Sequence, residues 1–500
     1  MRITNGIMIS NSLANINKNK EKQNTLNTQL MTQQKIQRPS EDPIIAVRAL
    51  RLRTTYSEIC QYLDKNIPDA DNWMSTTDKA MESIEGVLGD ILTYLNQGAN
   101  GYLQDSDKKT IANTLATYRD QLFADANADY AGRKLFTGYK TDKTLTFTED
   151  KSDVSFEIKE KFTFDKIRNE KRVANGIDIS KITSTSIGTL NVNTIAVPEY
   201  KQVYSYRLGY DNIDAAVGET MDINLSEKQA DGTYNVTGTV NVTVVSQKDT
   251  NALEPADGEA FLIKETGELI IGKDAYGLME ETDMMDITYK RTGFKNGELN
   301  PIHYFDCTDI TDPAKPVVYT DKDQPISYEV SFNQNIEINI QGKDVFQHAM
   351  TRDVDEIISV VDNAIQAENK VNKIKEMYDN ATDGSAEKDK LKELLDMANR
   401  ELDYCNDKLN DIYTSGLTKF QNHKTTVGNA RADIGSRQQR LELTEVRLSA
   451  QKTTVKNLKS TNEEINVTDV AVEYAEAKSV YDASLAAAAK VVQKRLLDFL

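Results

Sequence analysis

Residues 427–458 read VGNARADIGSRQQRLELTEVRLSAQKTTVKNL. Val427, Ala430, Ile434, Arg437, Leu441, Thr444, Leu448, Gln451, Val455 and Leu458 recur there at alternating steps of three and four, the spacing that keeps one stripe of an α-helix against a partner. At 1.5 Å per residue the stretch spans ~48 Å. A helix that long cannot bury itself, so a second long helix from elsewhere in the chain must lie along it.

The first hundred residues supply the candidate. Ala70, Met74, Thr77, Met81, Ile84, Leu88, Ile91 and Leu95 repeat the same steps, and Leu52, Tyr56, Ile59 and Leu63 extend the stripe backward. Pro68 interrupts it and is expected to kink or restart the helix. Ser40-Glu41-Asp42-Pro43 marks the start, with capping side chains and a proline in the first turn. Ile111, Leu115, Tyr118 and Leu122, after the glycines at 98 and 101, are expected to fold back antiparallel. Beyond Gly342, two charged amphipathic helices are expected over Asp353–Asp379 and Lys388–Lys408, parted by the polar turn at 380–385.

Between Thr144 and Gly342 the period changes to two. Residues 144–148, 154–158, 234–245 and 326–332 alternate as half-buried antiparallel strands, and Asp-Gly or Asn-Gly pairs at 231–232, 257–258 and 296–297 supply turns. The fold class expected is therefore α+β: a long antiparallel helical bundle or coiled coil built from both chain ends, with a β-rich domain inserted in the middle. The expected divisions are a terminal coiled coil (1–40 with 462–500), a helical rod (41–143 with 343–461) and an outer β-rich insert (144–342).

The extreme ends carry a weaker version of the stripe. Ile9, Ser12, Ile16, Asn19, Gln23, Leu26, Leu30 and Gln33 form a half-polar seam, too dilute to hold a helix alone. Val467, Val470, Tyr474, Ala477, Tyr481, Ser484, Ala488 and Val491 form another, with Leu485, Val492, Leu496 and Phe499 widening its apolar face. Residues 1–40 hold six bases and one acid, +5, whereas 462–500 hold four bases and seven acids, -3. Opposite signs favour pairing the two ends. The expected interaction residues for neighbouring subunits or an export chaperone are Ile9, Ile16, Leu26, Leu30, Val470, Tyr474, Tyr481, Leu485, Val492, Leu496 and Phe499.

Composition narrows the function. The 500 residues carry 60 basic and 78 acidic side chains, a net charge of -18, which repels nucleic acid and anionic membranes. No run approaches the ~18 consecutive apolar residues of a membrane span, and the amino terminus lacks the apolar core of a cleaved secretory signal. Three histidines (His303, His348, His423) and three scattered cysteines (Cys60, Cys307, Cys405) offer little for metal or nucleophilic chemistry, and leave open whether Cys60 and Cys405 meet. His303 to Cys307 is the one cluster of donors in sequence, short of a four-ligand site. Phosphate-binding, Gly-x-Ser-x-Gly and His-Glu-x-x-His motifs are absent. The abundant Asp and Glu read as solvated helix faces. No cofactor, metal or catalytic residue is expected, and the chain is not read as an enzyme.

Several stretches carry a family resemblance. Met1-Arg2-Ile3-Thr4, Arg38-Pro39-Ser40-Glu41-Asp42-Pro43 and Ala99-Asn100-Gly101 resemble the amino-terminal region of the bacterial flagellin superfamily. Ile434-Gly435-Ser436-Arg437-Gln438-Gln439-Arg440-Leu441-Glu442 is similar to its carboxyl-terminal Gly-Ala-Arg-x-Asn-Arg-Leu-Glu signature, although Gln438-Gln439 replaces the usual Asn-bearing pair. Gly132 to Thr141 is similar to the motif that precedes the variable domain in the superfamily's hook–filament junction branch. The likeness covers roughly 1–145 and 340–500; the insert is larger than that branch suggests, and three cysteines are unusual for it.

The resemblance implies an extracellular adaptor of the bacterial flagellum, exported unfolded through the flagellar type III apparatus by an uncleaved signal. Its implied partners are copies of itself, the preceding hook-associated protein, flagellin and an export chaperone. A filament-forming flagellin is the alternative. The dilute terminal seams suggest coupled folding and assembly, since ordering costs ~1–2 kcal/mol per residue that a half-polar stripe recovers only by intermolecular burial. The insert reads as a solvated surface domain.

Overall fold

The computed structural model describes residues 5–100, 104–179, 197–249 and 251–497 together with 182, 187, 192 and 195, and within these the side chains of residues 6–490. The chain divides into two compact units, one of Met1–Asp71, Tyr328–Ile336 and Gln439–Leu500, the other of Asn72–Ser327 and Glu337–Gln438. Helices form at both chain ends and a β-rich region lies between them, which is the expected fold class. No described helix is long and apolar enough to cross a membrane.

The first unit starts with α1 (Asn5–Thr32) and α2 (Pro43–Gln61). Asp42 caps α2 as its carboxylate accepts from the Ile44 and Ile45 amides at 2.9 and 3.1 Å, and Pro43 occupies the first turn as expected. Pro68 neither ends nor restarts the helix at its own position. A π-turn over Tyr62–Asn66 comes just ahead of it, after which α3 runs over Ile67–Asn100. The Ile67 amide reaches back five residues to the Tyr62 carbonyl, so the ladder is already widened where the proline ring enters.

In the second unit the α3 stripe is fully buried from Met74 through Leu95, and α4 (Asp105–Gln121) folds back so that Tyr118 meets Tyr94 at 5.8 Å. The short β1 (Asp129–Tyr130) and β2 (Arg133–Lys134) pair next. The sheet follows: β3 (Lys151–Phe162), β4 (Arg168–Ala174), β5 (Glu199–Arg207), β6 (Thr220–Lys228), β7 (Tyr234–Val245), β8 (Ala260–Ile263), β9 (Glu268–Ile271), α5 (Lys273–Glu280), β10 (Met284–Phe294), β11 (Asp306–Asp309) and β12 (Val317–Tyr319). Ten strands take the order β12-β11-β3-β10-β6-β7-β8-β9-β5-β4. Every pair is antiparallel except β7 and β8, whose parallel pairing departs from the expected all-antiparallel sheet. Residues 246–259 separate them, long enough for the crossover a parallel pair needs. Residues 144–148 form only an isolated bridge from Thr146 to Leu299. The main core of the sheet uses residues 147–307 alone, among them Ile158, Ile223, Val242, Leu262, Ile287 and Tyr289.

After the hairpin of β13 (Ser327–Ser331) and β14 (Gln334–Glu337) come α6 (Gly342–Val345), α7 (His348–Asn380), α8 (Ala386–Glu463) and α9 (Val467–Leu497). The expected helices at 388–408 and 427–458 are one continuous helix of 78 residues. Three glycines lie inside it despite their weak helix propensity, and one of them is closely packed: at Gly416 a Cβ would already lie 3.4 Å from Leu95 and Ile357. Tyr413 also sits so close to Gly98 of α3 that a Cβ there would be 2.6 Å from its ring. In the same unit Arg431 of α8 bridges Asp78 and Glu85 of α3 at 3.0 and 2.7 Å. The stretch 182–198 lies largely outside the described residues; the described Ile182, Ile187 and Val192 are buried with Ile374 of α7 and Leu391 and Leu394 of α8.

Charged residues, expected to be solvated, clamp the sheet to α7 and α8. Arg168 of β4 holds Asp353 and Glu356 of α7 at 3.0 and 2.8 Å, and Lys419 of α8 reaches the same two carboxylates at 3.3 and 3.0 Å. His423 closes the group on Asp353 at 3.0 Å. Beside it Glu170 of β4 lies 2.7 Å from Arg172 and 2.5 Å from Lys408 of α8. Burial alone would raise the Glu170 pKa, but Arg172 and Lys408 outweigh it and hold it down to about 2. Burial likewise opposes ionisation of Glu356, yet Arg207, Lys419 and Arg168 keep it well below the carboxylate range.

An acid depressed on folding stabilises the fold at pH above its unfolded value. That contribution drains away as pH falls from about 4.5 to about 2 for Glu170. Glu170→Gln is expected to lower stability at pH 7 by about 3 kcal/mol and to flatten the acid limb in this window. Urea unfolding at a series of pH values measures both effects.

Candidate functional site

No catalytic constellation emerges from the residues singled out in the sequence. His303 places Nε2 3.2 Å from the Thr144 carbonyl, and burial lowers its pKa to about 4. His348 lies among the rings of Tyr210, Tyr304 and Phe305 at 4.7–5.2 Å, lowered by burial to about 3. Cys60, Cys307 and Cys405 are free thiols, and burial pushes Cys307 up to about 12 and Cys405 to about 11, which leaves both unreactive. Among the described residues no three His, Cys, Asp or Glu side chains are grouped to hold a metal.

The second unit holds a cleft of about 1390 Å³ lined by residues of the sheet, α4, α7 and α8. Four of its carboxylates are paired with bases: Asp355 with Arg119 at 2.6 Å, Glu401 with Lys370 at 2.7 Å, Glu268 with Arg172, and Glu356 with the clamp.

The features suited to assembly lie in the first unit. α1 and α9 run antiparallel, joined at their middle by Asn19 Nδ2 donating to Ser484 Oγ at 2.7 Å. At the joint the Lys35 amide donates to the Glu463 carbonyl at 2.8 Å and the Ile465 amide to the Gln33 carbonyl at 3.1 Å. Arg53 of α2 forks onto Glu463, with Nε 3.0 Å and NH2 2.6 Å from its oxygens, and that hydrogen bond raises the arginine pKa.

The seam expected from sequence is the one that faces inward. Ile9, Ile16 and Leu30 of α1 and Val470, Tyr474 and Tyr481 of α9 are half-buried, and Leu26 and Ala477 are the pair's two buried apolar side chains among the described residues. Leu485, expected to widen the apolar face, points outward and is 42% exposed. Val492 and Leu496 lie on α9 where side chains are not described, and Phe499 lies outside the described residues.

Sequence reasoning missed the outward apolar set. Of 23 large apolar side chains exposed among the described residues, fifteen fall in this unit, including Ile7 and Leu13 of α1, Val472 and Val480 of α9, Ile44, Val47 and Leu50 of α2, and Leu443 and Val446 of α8. Phe332, at the tip of the β13–β14 hairpin, is 78% exposed. Asn333 beside it turns the tip with a φ of 55°, and the hairpin is braced as Gln334 bonds Thr444 at 3.1 Å and Arg447 bonds Gln334 at 2.7 Å. The available signal was their position off the 3-4 stripe: apolar residues in a charged helix that no intramolecular seam claims.

With this geometry in place, comparison with known proteins is informative. Residues 3–141 match the bacterial flagellin N-terminal helical region and residues 417–500 the bacterial flagellin C-terminal helical region. At both of its helical ends the chain is thus similar to the bacterial flagellin superfamily. Within it, the chain is similar to flagellar hook-associated protein 3 of Salmonella typhimurium, 29% identical over 144 residues that make up 28% of this chain and 45% of that protein. It is also similar to flagellar hook-associated protein 3 of Escherichia coli, 28% identical over 153 residues, 30% of this chain and 47% of that protein. The chain thus spans about half the length of these curated relatives. Among solved structures, FlgL from Xanthomonas campestris covers 82% of this chain and 99% of its own at 13% identity and a TM-score of 0.29. Hook-associated protein 3 from Legionella pneumophila covers 82% and 97% at 10% identity and a TM-score of 0.31.

Two outcomes follow for the purified protein. Phe332→Ser, which removes no buried contact, is expected to change stability by less than about 0.5 kcal/mol in urea unfolding. Arg53→Ala strips the largely buried Glu463 of its partner and is expected to speed amide exchange at Lys35 and Ile465 selectively, read by mass spectrometry of peptides spanning the joint.

Proposed function

We propose that the chain is a structural, non-enzymatic adaptor subunit at the junction between the flagellar hook and filament. It would join the preceding hook-associated protein to flagellin by coupled folding and assembly of its terminal helices. The observation that carries this reading is the α1–α9 pair, whose seam buries, among the described side chains, Leu26 and Ala477 alone while large apolar side chains face outward. So thin a seam does not offset the ordering of some sixty residues, each costing ~1–2 kcal/mol, without burial supplied by other chains. The names of the relatives support the junction assignment over a filament role.

Within this reading, residues 1–40 with 462–500 form the terminal coiled coil, 41–143 with 343–461 the rod, and 144–342 the outer domain. Export proceeds through the flagellar type III apparatus to an extracellular site, with a chaperone holding the terminal helix. Ile9, Ile16, Leu26, Leu30, Val470, Tyr474, Tyr481, Leu485, Val492, Leu496 and Phe499 contact neighbours or that chaperone.

Loss of the gene is expected to leave hooks without filaments and unpolymerised flagellin in the medium, while the purified chain stays unpolymerised. Filaments grown from the purified chain alone would instead favour a flagellin. Amide exchange on the dilute monomer is expected to show little protection over 9–33 and 467–497, and strong protection of both would sink coupled folding. Leu485→Asp is expected to weaken incorporation at least tenfold with the second unit's unfolding midpoint unchanged; undiminished incorporation counts against Leu485 as a contact.

A further inference from the structure

The cleft in the second unit carries four buried polar atoms that, among the described residues, have no hydrogen-bond partner: Arg291 Nε, Arg352 Nε, His348 Nε2 and Thr266 Oγ1. They form one group around Tyr210 and Asp211. Asp211 lies 3.3 Å from Arg291 and 3.6 Å from Arg352, and the Tyr210 ring sits 4.9 Å from the Arg291 guanidinium and 4.8 Å from the His348 ring. Arg352 also donates to the Thr266 carbonyl. The backbone fixes the group in place. Leu208, Asn212 and Ile213 donate to the carbonyls of Gly267, Glu265 and Lys264 at 2.9, 3.3 and 2.8 Å, which locks the segment carrying Asp211 to the one carrying Thr266.

A buried polar atom without a partner is rare in a folded protein, and four of them in one cavity call for a partner from outside the chain. Guanidinium N–H groups only donate, so that partner brings acceptors. Charge decides their kind. The lining holds nine bases and nine acids, and those nearest the group are coupled: Arg291 to Asp211 and Glu298, Arg352 to Asp211, Arg207 to Glu356, and Arg119 to Asp355. His348 adds no charge, since burial, with Arg352 and Arg291 beside it, keeps the imidazole neutral. An added anion would stay uncompensated in a buried setting, on a chain whose net charge is already -18, so the acceptors are neutral oxygens.

The rest of the lining suits hydroxyls. Base and acid stand side by side at Arg119 and Asp355, Lys370 and Glu401, and Arg172 and Glu268, and a hydroxyl serves both members of such a pair by accepting from one and donating to the other. α7 extends this polar wall, because Arg352, Asp355, Ser359, Asn363, Gln366 and Lys370 follow one another along the cleft at helical steps of three and four. At about 1390 Å³ the cavity exceeds the ~300–1,000 Å³ of a drug-sized site and has room for several linked rings. We propose that this cleft binds a neutral oligosaccharide, with hydroxyls of one sugar on Arg291, Arg352, His348 and Thr266 and the following sugars along α7. The site lies within the second unit and is independent of the assembly reading.

The test applies the purified full chain to a printed array of neutral and acidic oligosaccharides, followed by titration calorimetry with the neutral glycan that binds and with inorganic phosphate. A neutral glycan is expected to bind with a Kd below about 1 mM, and phosphate is expected not to displace it. Arg352→Gln is expected to weaken that binding at least about tenfold, as loss of a charged donor does. Thr266→Val, which removes a hydroxyl that bonds nothing in the chain, is expected to weaken it about threefold and keeps the test open if the first variant fails to fold. Binding of acidic glycans alone, or displacement by phosphate, would make this an anion site and overturn the proposal. Unchanged affinity in both variants would overturn the placement of the sugar, and an array without any binding would overturn the site, leaving the four atoms to water.

Discussion

The constraint behind this structure is that a helix of 78 residues must find partners along its whole length. α8 finds them by antiparallel pairing with the opposite end of the chain: α2 in one unit, α3 in the other. In both, the residue number on one partner falls as the other rises. Sequence-distant segments therefore become spatial neighbours, and the β-rich region must leave and re-enter between them. The bulk of that work is apolar, since the α3 stripe and Val427, Ile434, Leu441 and Leu448 of α8 are all shielded from solvent. The π-turn before Pro68 shows how strongly the pairing is enforced: the ladder widens by one residue, and helix resumes at Ile67.

The same pairing weakens outward along the chain. Around α3 the seam holds Met74, Met81, Leu88 and Leu95, all with no exposed area; between α1 and α9 it holds Asn19, Ser484, Ala477 and one buried leucine. The first unit accordingly turns much of its apolar surface outward, whereas the second surrounds a sheet with its own core and a clamp of buried ions. Breaking one member of that clamp strands charges in a low-dielectric setting, so it fixes the sheet's placement on α7 and α8 more than it adds net stability.

Periodicity made the helical half legible. The stripes at 9–30, 70–95, 427–448 and 470–488 face inward as read, because a 3-4 repeat has few other uses, whereas Leu458 and Val467, read into the same stripes, are 53 and 49% exposed. Periodicity understated α8, read as separate helices over 388–408 and 427–458; between them Gly416 packs close to Leu95 and Ile357. The clamp was misread for a different reason. Asp353 and Glu356 lie on the buried side of α7 with Met350, Val354 and Ile357, and their charge suggested solvent. Their partners Arg168 and Lys419 are far away in sequence, and only the fold brings them together. The outward stripe on α2 was legible as composition, but its meaning depends on knowing which face α8 already covers.

The central claim is that the head and tail of the chain lie side by side in the working protein. Spin labels at Asn19→Cys and Ser484→Cys, in full chain otherwise free of cysteine and assembled on flagella, report that distance by dipolar spectroscopy. Diluting labelled chain into unlabelled isolates the distance within one molecule. The account predicts a single short separation, that of neighbouring side chains on paired helices. A broad or long separation within one chain would mean that the two ends find different partners, and would contradict it.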